Sequence, residues 1–383
     1  MTFDDIVRRT RATACLDCGK CTGSCPVTRI DVTYSPRGTI ERVLAGRPED
    51  LIHNRHLWSC LTCGLCTSRC PSGVDYPAFV IGARIEARQA SVEGTYAHNA
   101  VMQELMGIMA QPVTQNRTGW LTDDLRTTRQ GDDFYFVGCL PYFDVIFEDL
   151  GIVSTETARS AVRLLNAVGI TPVVSDEERC CGADLLLNGD EEGFRKLAEI
   201  NTRVIEESGA QRVIFTCPEG VNAFRNDYPR YVGSLPFEVV HISELLTEHL
   251  DELEFGRLRE AVTYQDPCRL GRYLGVYDAP REMIASIPGV DLREMRKHRQ
   301  TALCCGSTGW VNCGRCAKGI QVKRLQQAQA TGAGKLITAC PKCRIHFSCA
   351  LQDEGEEIPL ELEDLTGLLA RALEASEKGM DDE

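Results

Sequence analysis

Five cysteines in the last third of the chain could hold a metal cluster. They are Cys268, the adjacent pair Cys304 and Cys305, and the CxxC pair Cys340 and Cys343. Soft thiolate ligands at this density suit iron–sulfur clusters or zinc. Two adjacent cysteines are poorly placed as corners of one cubic cluster, whereas they can bind neighbouring irons of a more open cluster. The adjacent pair therefore argues against a simple zinc ribbon.

Two further cysteine runs lie near the start of the chain. Each has the spacing Cys-x2-Cys-x2-Cys-x3-Cys-Pro. This is the ligand spacing of bacterial two-cluster ferredoxins, in which the fourth cysteine of each run binds the cluster of the other run. The spacing therefore predicts two [4Fe-4S] clusters. Their predicted ligands are Cys15, Cys18, Cys21 and Cys70 for the first, and Cys60, Cys63, Cys66 and Cys25 for the second.

The segments that must position these cysteines change character along the chain. Residues 1–111 contain helical patterns such as SPRGTIERVLAGRPEDL, which predict an α-helical ferredoxin-like domain. Residues 112–132 are polar and turn-rich, so we expect a linker there. Short apolar runs then alternate with amphipathic helices such as TETARSAVRLLNAVG. That alternation predicts layered α/β structure with a largely parallel sheet.

The α/β part contains two copies of one module. VTYQDPC matches DFYFVGC, LCCGS matches RCCGA, and LITACPKC matches VIFTCPEG, at offsets of 129, 124 and 123 residues. Near-constant offsets indicate duplication. We expect a first lobe at 133–255, a second lobe at 256–375 and an acidic, solvated tail at 376–383. The predicted fold class is α+β multidomain, with the helical domain followed by two duplicated α/β lobes.

The first copy of the module is incomplete. It offers four cysteines, but Gly220 stands where the fifth ligand should be. The four are Cys139, Cys180, Cys181 and Cys217. Three interpretations stay open: a simpler cluster on four thiolates, another metal, or no metal, with the cysteines kept as packing residues.

Composition narrows the setting in which the chain works. Its 20 cysteines follow a polar, charged start, MTFDDIVRRTRATAC, which favours metal binding in a reducing cytoplasm over extracellular disulfides. A net charge of −13 disfavours nucleic acid as a partner. No apolar run predicts a membrane span. Since no Gly-rich dinucleotide fingerprint is present, we expect flavin or NAD on another subunit.

The second module resembles the cysteine-rich CCG domain of heterodisulfide reductase catalytic (B-type) subunits, through DPCRLGRYLGVYDAPREMI, LCCGS and LITACPKCRIHF. The N-terminal part resembles the ferredoxin-like (C-type) subunit of the same enzymes, so the chain looks like the fused D-type arrangement. The resemblance implies a catalytic noncubane [4Fe-4S] cluster that reduces a small-molecule disulfide, and a complex with a flavoprotein or another redox subunit. Its implied ligands are Cys268, Cys304, Cys305, Cys340 and Cys343.

Two other functions remain open at this point. The chain can be a conduit without a substrate of its own, serving an acyl-CoA or benzoyl-CoA reductase complex or a flavin-linked hydroxyacid oxidase. The missing fifth cysteine at Gly220 favours that conduit, because the family's disulfide cleavage is attributed to two facing clusters. A zinc-binding assembly module fits the two ferredoxin runs poorly.

The second module carries further polar residues whose roles the sequence leaves open. Cys313 and Cys316 form a CxxC that can hold a separate metal or remain reduced. His346 and Cys349 share a helical face with Cys343, where they can adjoin the cluster, donate a proton or pack. Basic residues also gather here, as a grip for an anionic substrate, a means of raising the cluster potential, a solvated face or a partner-docking patch. They are Arg269, Arg272, Arg281, Arg296, Lys297, Arg299 and Arg315.

Overall fold

The first part of the chain is built from short helices. In the computed structural model, which describes residues 2–354 and 357–381, no β-strand precedes Asp133 among the described residues. The α-helices of this part are α1 (Phe3–Arg9), α2 (Lys20–Ser24), α3 (Pro36–Leu44), α4 (Glu49–Ile52), α5 (Tyr76–Gln89) and α6 (Val101–Met109). Short 3-10 helices occur along the chain at Ala12–Ala14, Arg55–Ser59, Thr67–Arg69, Ala97–Ala100, Glu148–Leu150, Leu250–Glu252 and Arg299–Thr301.

Local sequence signals start two of these helices. The Ser35 hydroxyl caps α3 by accepting the backbone N–H of Gly38 at 3.0 Å, and Pro36 takes the first helical position. The Asp75 carboxylate caps α5 through the backbone N–H of Ala78 at 3.1 Å. α1 then packs against α5. The helices so fixed leave most of the two cysteine runs in the connections between them.

The first lobe is a three-stranded parallel sheet with helices around it. Its strands, in the sheet order β1-β2-β3, are β1 (Asp133–Phe136), β2 (Arg212–Phe215) and β3 (Glu238–His241). Its α-helices are α7 (Leu140–Ile146), α8 (Thr155–Ala167), α9 (Ala183–Leu187), α10 (Glu191–Glu207), α11 (Pro218–Asn222), α12 (Pro229–Val232) and α13 (Ile242–Thr247). The strand expected over TPVVSD is reduced to isolated bridges at Val173, directly after Pro172, which has no N–H to donate.

The second lobe repeats this plan with one more strand. Its parallel sheet has the order β5-β4-β6-β7, formed by β4 (Glu260–Gln265), β5 (Val290–Leu292), β6 (Lys335–Thr338) and β7 (Glu361–Asp364). Its α-helices are α14 (Ala279–Ala285), α15 (Arg315–Gln329), α16 (Pro341–Glu354) and α17 (Leu365–Asp381). β4 and β6 pair as β1 and β2 do. The helical first part and the two parallel α/β lobes confirm the predicted α+β class.

The last helix ties the two lobes together. α17 follows β7 of the second lobe but packs against α8 of the first. Thr366 Oγ1 on α17 donates to the backbone carbonyl of Thr157 at 3.3 Å. The helix runs to Asp381, so the acidic tail expected at 376–383 begins inside it, while residues 382 and 383 lie outside the described residues.

Two apolar cores cross the boundaries between the parts. One extends from the first lobe into the second and includes Phe215 and Leu369. The other joins the helical part to the second lobe and includes Phe79 and Phe347. Within residues 2–354 and 357–381, no helix is both long and apolar enough to cross a bilayer. The helical part is therefore held directly against the lobe that carries the complete cysteine set.

Candidate metal centres

The first group of cysteines, which we call the first nest, lies near the surface of the helical part. Its cavity is lined by Cys15, Cys18, Cys21 and Cys70, together with Cys66. Cys18 is exposed, and the adjacent Leu16 is 70% exposed. The structure thus brings together the four cysteines that the spacing predicts for the first cluster and leaves one edge of the nest open to solvent.

The second nest lies deeper. Its cavity is lined by Cys25, Cys60, Cys63 and Cys66, the four cysteines predicted for the second cluster. Tyr34 and Tyr76 close one side, with their hydroxyl oxygens 3.0 Å apart. Burial raises the pKa of Cys25 to about 12, so this thiol keeps its proton until a metal displaces it. Cys66 borders both nests.

The third nest lies at the carboxyl ends of two strands of the second lobe, the edge where parallel sheets form ligand sites. Cys268 follows β4, and Cys340 and Cys343 follow β6 at the start of α16. Cys304 and Cys305 arrive on a loop. The thiol of Cys304 is hydrogen-bonded to that of Cys268, and the thiol of Cys305 to that of Cys343. The five cysteines implied by the resemblance therefore form one group.

The second and third nests are in contact. The thiol of Cys63 is hydrogen-bonded to the thiol of Cys304. Their exposed fractions are 7% and 2%, so the contact is screened from solvent. Centres built on these two residues would lie side by side, with no other side chain required between them.

A five-residue π-helical turn that starts at Arg269 holds these two nests together. Arg269 Nη2 donates to Thr62 Oγ1 at 2.7 Å. Arg272 Nε donates to the Cys63 carbonyl at 2.6 Å, and the Tyr273 hydroxyl donates to the Thr62 carbonyl at 2.5 Å. π-Helical turns are frequent at functional sites. This one ties the loop of the second nest to the strand end that carries the third.

The seven basic residues expected near the third nest separate into three groups. Arg269 and Arg272 face the thiols, and together with a hydrogen bond from Cys304 they lower the pKa of Cys268. Arg281 is buried and paired with carboxylates, and Arg299 is paired with a carboxylate at 2.7 Å. Three have no ion pair in the part of the chain that the structure describes: Arg296, Lys297 and Arg315.

The four cysteines of the first lobe also come together. The sulfurs of Cys139 and Cys180 lie 3.2 Å apart, and Cys180 is hydrogen-bonded to Cys181. Burial, followed by the nearby thiols of Cys340 and Cys181, raises the pKa of Cys217. This fourth group of thiols therefore lies between the core of the first lobe and the third nest.

Arg117, in the expected linker at 112–132, is a neighbour of this fourth group that the sequence did not mark. It is 2% exposed, and its Nη2 donates to Glu178 Oε1 at 2.9 Å. Its Nε and Nη1 have no hydrogen-bond partner among the described residues. Since its charge also acts on Cys139, Arg117 supplies buried positive charge beside the thiols. No local pattern distinguishes it from an ordinary linker arginine.

The first lobe has no room for a fifth ligand. A Cβ atom placed on Gly220 would lie 2.7 Å from Cδ1 of Phe215. The equivalent residues of the second module, 123 positions later, are Cys343 and Thr338. The Phe215 ring also packs 4.9 Å from that of Phe224, which holds it in place. The first lobe thus lacks the ligand and has an aromatic ring in the space beside it.

We expect Gly220→Cys alone to destabilise the protein by about 1–3 kcal/mol, because the new Cβ overpacks against the Phe215 ring. Phe215→Thr alone should also destabilise, because it leaves a cavity. The double variant recreates the pair found in the second module and should be more stable than the sum of the two changes predicts. Thermal midpoints of all four proteins, measured under nitrogen, test this. Strict additivity would contradict the clash.

A buried charged triad lies between the two lobes and was also missed from the sequence. Lys342 Nζ pairs with Asp184 and with Glu219. Although burial opposes the charge, the two carboxylates raise the pKa of Lys342 well above its usual range. Trp310, fully buried, donates its Nε1–H to Asp184 at 3.0 Å. Glu219 and Lys342 occupy equivalent positions 123 residues apart, so aligning the repeats could have revealed this pair.

The remaining polar residues of the second module lie around the third nest. His346 is 3% exposed, and burial lowers its pKa to about 4, so its ring is a neutral packing group beside the nest at neutral pH. The Cys349 sulfur accepts a hydrogen bond from Lys318 Nζ at 3.2 Å. Cys313 is exposed and Cys316 partly buried. None of these contacts adds a ligand to the third nest.

The residues of the three nests fit clusters better than single ions. Within the described ranges, no three His, Cys, Asp or Glu side chains converge closely enough to hold one metal ion. Ligands of an iron–sulfur cluster bind different irons, so they surround a space instead of a point. Thiols arranged around two cavities and in one buried group meet that requirement.

Comparison with known families matches both parts of the chain. Residues 11–74 match the 4Fe-4S dicluster domain. Residues 134–224 and 262–373 match the CCG cysteine-rich domain. The two CCG matches fall on the two lobes, which supports the duplication read from the offsets.

Several named proteins are similar in sequence. The D-type component of dihydromethanophenazine:CoB–CoM heterodisulfide reductase from Methanosarcina mazei is 32% identical over 295 residues, 73% of this chain and 69% of the relative. The B-type component of a fumarate reductase (CoM/CoB) from Methanothermobacter marburgensis is 33% identical over 58% of this chain and 42% of its own. An EtfAB:quinone oxidoreductase from Syntrophomonas wolfei is 30% identical over 67% of this chain and 38% of its own.

The family follows from these matches taken with the nests. The CCG and dicluster models cover both ends of the chain, and the M. mazei relative exceeds 30% identity over most of both sequences. These findings confirm the resemblance seen in the cysteine motifs. The chain belongs to the family of D-type heterodisulfide reductase subunits and is an iron–sulfur oxidoreductase.

Proposed function

We propose that the chain relays electrons through two [4Fe-4S] clusters to a noncubane [4Fe-4S] cluster at which a disulfide is reduced. When bound, these clusters accept and donate single electrons, and the last one supplies the sulfur chemistry. The proposed ligands are Cys15, Cys18, Cys21 and Cys70 in the first nest, Cys60, Cys63, Cys66 and Cys25 in the second, and Cys268, Cys304, Cys305, Cys340 and Cys343 in the third.

The contact between Cys63 and Cys304 carries this proposal. The first nest has an edge open to solvent, and Cys66 borders both it and the second nest. The second nest in turn touches the third, which is buried. Electrons entering from a partner would therefore pass inward through adjacent nests. The partner we propose is a flavoprotein or another redox subunit of a complex.

The proposed reaction takes up two electrons and two protons: R–S–S–R′ + 2e⁻ + 2H⁺ → R–SH + R′–SH. The sulfur–sulfur bond breaks and each sulfur gains one electron and one proton. Arg269 and Arg272 place fixed positive charge beside Cys268, which favours anionic sulfur at the third nest. The substrate we propose is a small-molecule disulfide, by analogy with the CoB–CoM heterodisulfide in the name of the M. mazei relative.

A second candidate function is a conduit without a substrate of its own. The observation that favours it is the first lobe, where Phe215 occupies the space beside Gly220 and leaves at most four thiol ligands. A chain with only one complete CCG site would then pass electrons on to another reductase, or accept them from a flavin-linked oxidase. The relatives include a component of a fumarate reductase and a quinone oxidoreductase, so the family serves more than one acceptor.

Iron content and disulfide titration separate these functions. Protein purified under nitrogen should contain about twelve irons, from three clusters of four. Adding the CoB–CoM heterodisulfide or cystine to partly reduced protein should produce a new paramagnetic signal. Cys343→Ser should abolish that signal, whereas Cys349→Ser, on the same helix, should leave it unchanged. About twelve irons without a disulfide-induced signal would leave the conduit, and colourless protein that holds only zinc would exclude both functions.

A further inference from the structure

Unpaired basic side chains gather where the second lobe meets the helical part. Arg29, Arg296 and Lys323 are exposed, and Lys297 lies among them. After burial of its stem, the charges of Arg29, Lys323 and Arg296 lower the pKa of Lys297, which shows how closely the four cations are held. None of the four has an ion pair within the described part of the chain. We call these four residues the basic surface.

A groove continues the basic surface along α15. It has a volume of about 460 Å3 and is lined by Arg315, Lys318, Gly319, Val322, Lys323 and Gln326. Ile30 of the helical part borders it, since a Cβ on Gly319 would lie 3.5 Å from Ile30 Cδ1. Ile30 is 39% exposed and the nearby Val32 is 84% exposed. Apolar side chains beside a charged rim are the usual composition of a protein-docking surface.

The basic surface reaches the first nest. Arg29 Nη2 lies 3.5 Å from the backbone carbonyl of Gly23. Gly23 belongs to α2, the helix that also carries Cys21. Beyond this helix lie the exposed Cys18 and Leu16. A protein bound to the basic surface would therefore stand next to the solvent-exposed edge of the first nest.

We propose that this surface docks an acidic electron-transfer protein, which delivers electrons to the first nest. The inference rests on the proposed function, since it requires that electrons enter there. The chain as a whole carries a net charge of −13 and repels acidic proteins over most of its surface. A local cluster of unpaired cations would then accept an acidic partner in one orientation, because complementary charge steers association. The overall charge also disfavours nucleic acid as the occupant.

The test uses the anaerobically isolated holoprotein and a reduced acidic [2Fe-2S] plant-type ferredoxin as the probe. One electron leaves the ferredoxin and is gained by the chain, and stopped-flow absorbance gives the second-order rate constant. Arg29→Glu combined with Lys323→Glu should lower that constant by about tenfold or more at low salt, with the difference disappearing at high salt. Arg129→Glu combined with Arg203→Glu makes the same charge change at exposed residues of the expected linker and the first lobe, and should have less than about a twofold effect.

Dithionite reduction of the same proteins distinguishes the two levels of the proposal. Equal and complete reduction of both double variants by dithionite shows intact nests, so a selective loss of the ferredoxin reaction supports the docking surface. If both double variants react with ferredoxin alike, or if the reaction is independent of salt, the docking surface is wrong while the relay stands. If dithionite reduces none of the proteins, the proposed function itself fails. Salt-sensitive binding to phosphatidylglycerol vesicles, lost in the first double variant without a change in the ferredoxin rate, would assign the surface to a membrane and overturn the proposal.

Discussion

Replacing Lys342 by methionine should destabilise the protein by about 3–5 kcal/mol, the usual loss when one partner of a buried ion pair is removed. Lys342 is 5% exposed, as is Asp184, and both are sealed between the lobes with Glu219. Methionine has a similar volume, so the change removes the charge and little packing. Two carboxylates would then share a dry site without a cation, and one of them would have to take up a proton.

Denaturant unfolding under nitrogen, with iron content measured in parallel, provides the test. Adding Asp184→Asn and Glu219→Gln to Lys342→Met removes the uncompensated charge, and the triple variant should recover most of the lost stability. Lys196→Met, which breaks an exposed pair with Glu192, should change stability by less than about 1 kcal/mol. A Lys342→Met protein as stable as the Lys196→Met control would show that the triad is not an ionised, buried group.

The triad illustrates which parts of this protein could be predicted from sequence. Cluster ligands are concentrated in short loops, so the spacing within each run was enough to group the cysteines of the first two nests as the structure does. The near-constant offsets likewise indicated two parallel lobes, which the sheets show. The missing ligand at Gly220 was visible as soon as the modules were aligned. The physical reason for it, the Phe215 ring, was visible only in the structure.

What could not be predicted are contacts between residues far apart in the chain. Lys342 meets Asp184 across 158 residues, and Arg269 meets Thr62 across 207. Nothing in the sequence near a buried cation specifies which distant oxygen it will reach. For the same reason Arg269 and Arg272, expected to hold a substrate, to tune the cluster or to form a surface patch, were not expected to fix one loop to another. The surface function expected of the basic residues falls instead on Arg296 and Lys297, which remain unpaired among the described residues.

Arg84 makes another contact of this kind, and its loss should have the second large effect. It is fully buried on α5 and has no carboxylate partner among the described residues. Its guanidinium donates to the carbonyls of Leu57 at 3.1 Å, Cys60 at 2.8 Å and Leu187 at 2.7 Å. One side chain thus joins the loop of the second nest to the first lobe. Gly189 allows this approach, because a Cβ there would lie 2.4 Å from the Arg84 carbonyl oxygen.

We expect Arg84→Met to destabilise the protein by about 2–5 kcal/mol, because three buried carbonyls lose charged donors at once. Arg84→Lys keeps the charge but cannot reach all three oxygens, so it should lie between the parent and Arg84→Met. Arg88→Met, one turn later on α5, removes a half-exposed arginine from pairs with Glu93 and Asp190 and should have an effect below about 1 kcal/mol. Thermal midpoints and iron content under nitrogen measure all three. Because Cys60 is held through its own carbonyl, Arg84→Met should also lose iron from the second nest. A variant with full iron content and the stability of Arg88→Met would mean that Arg84 does not hold that loop in place.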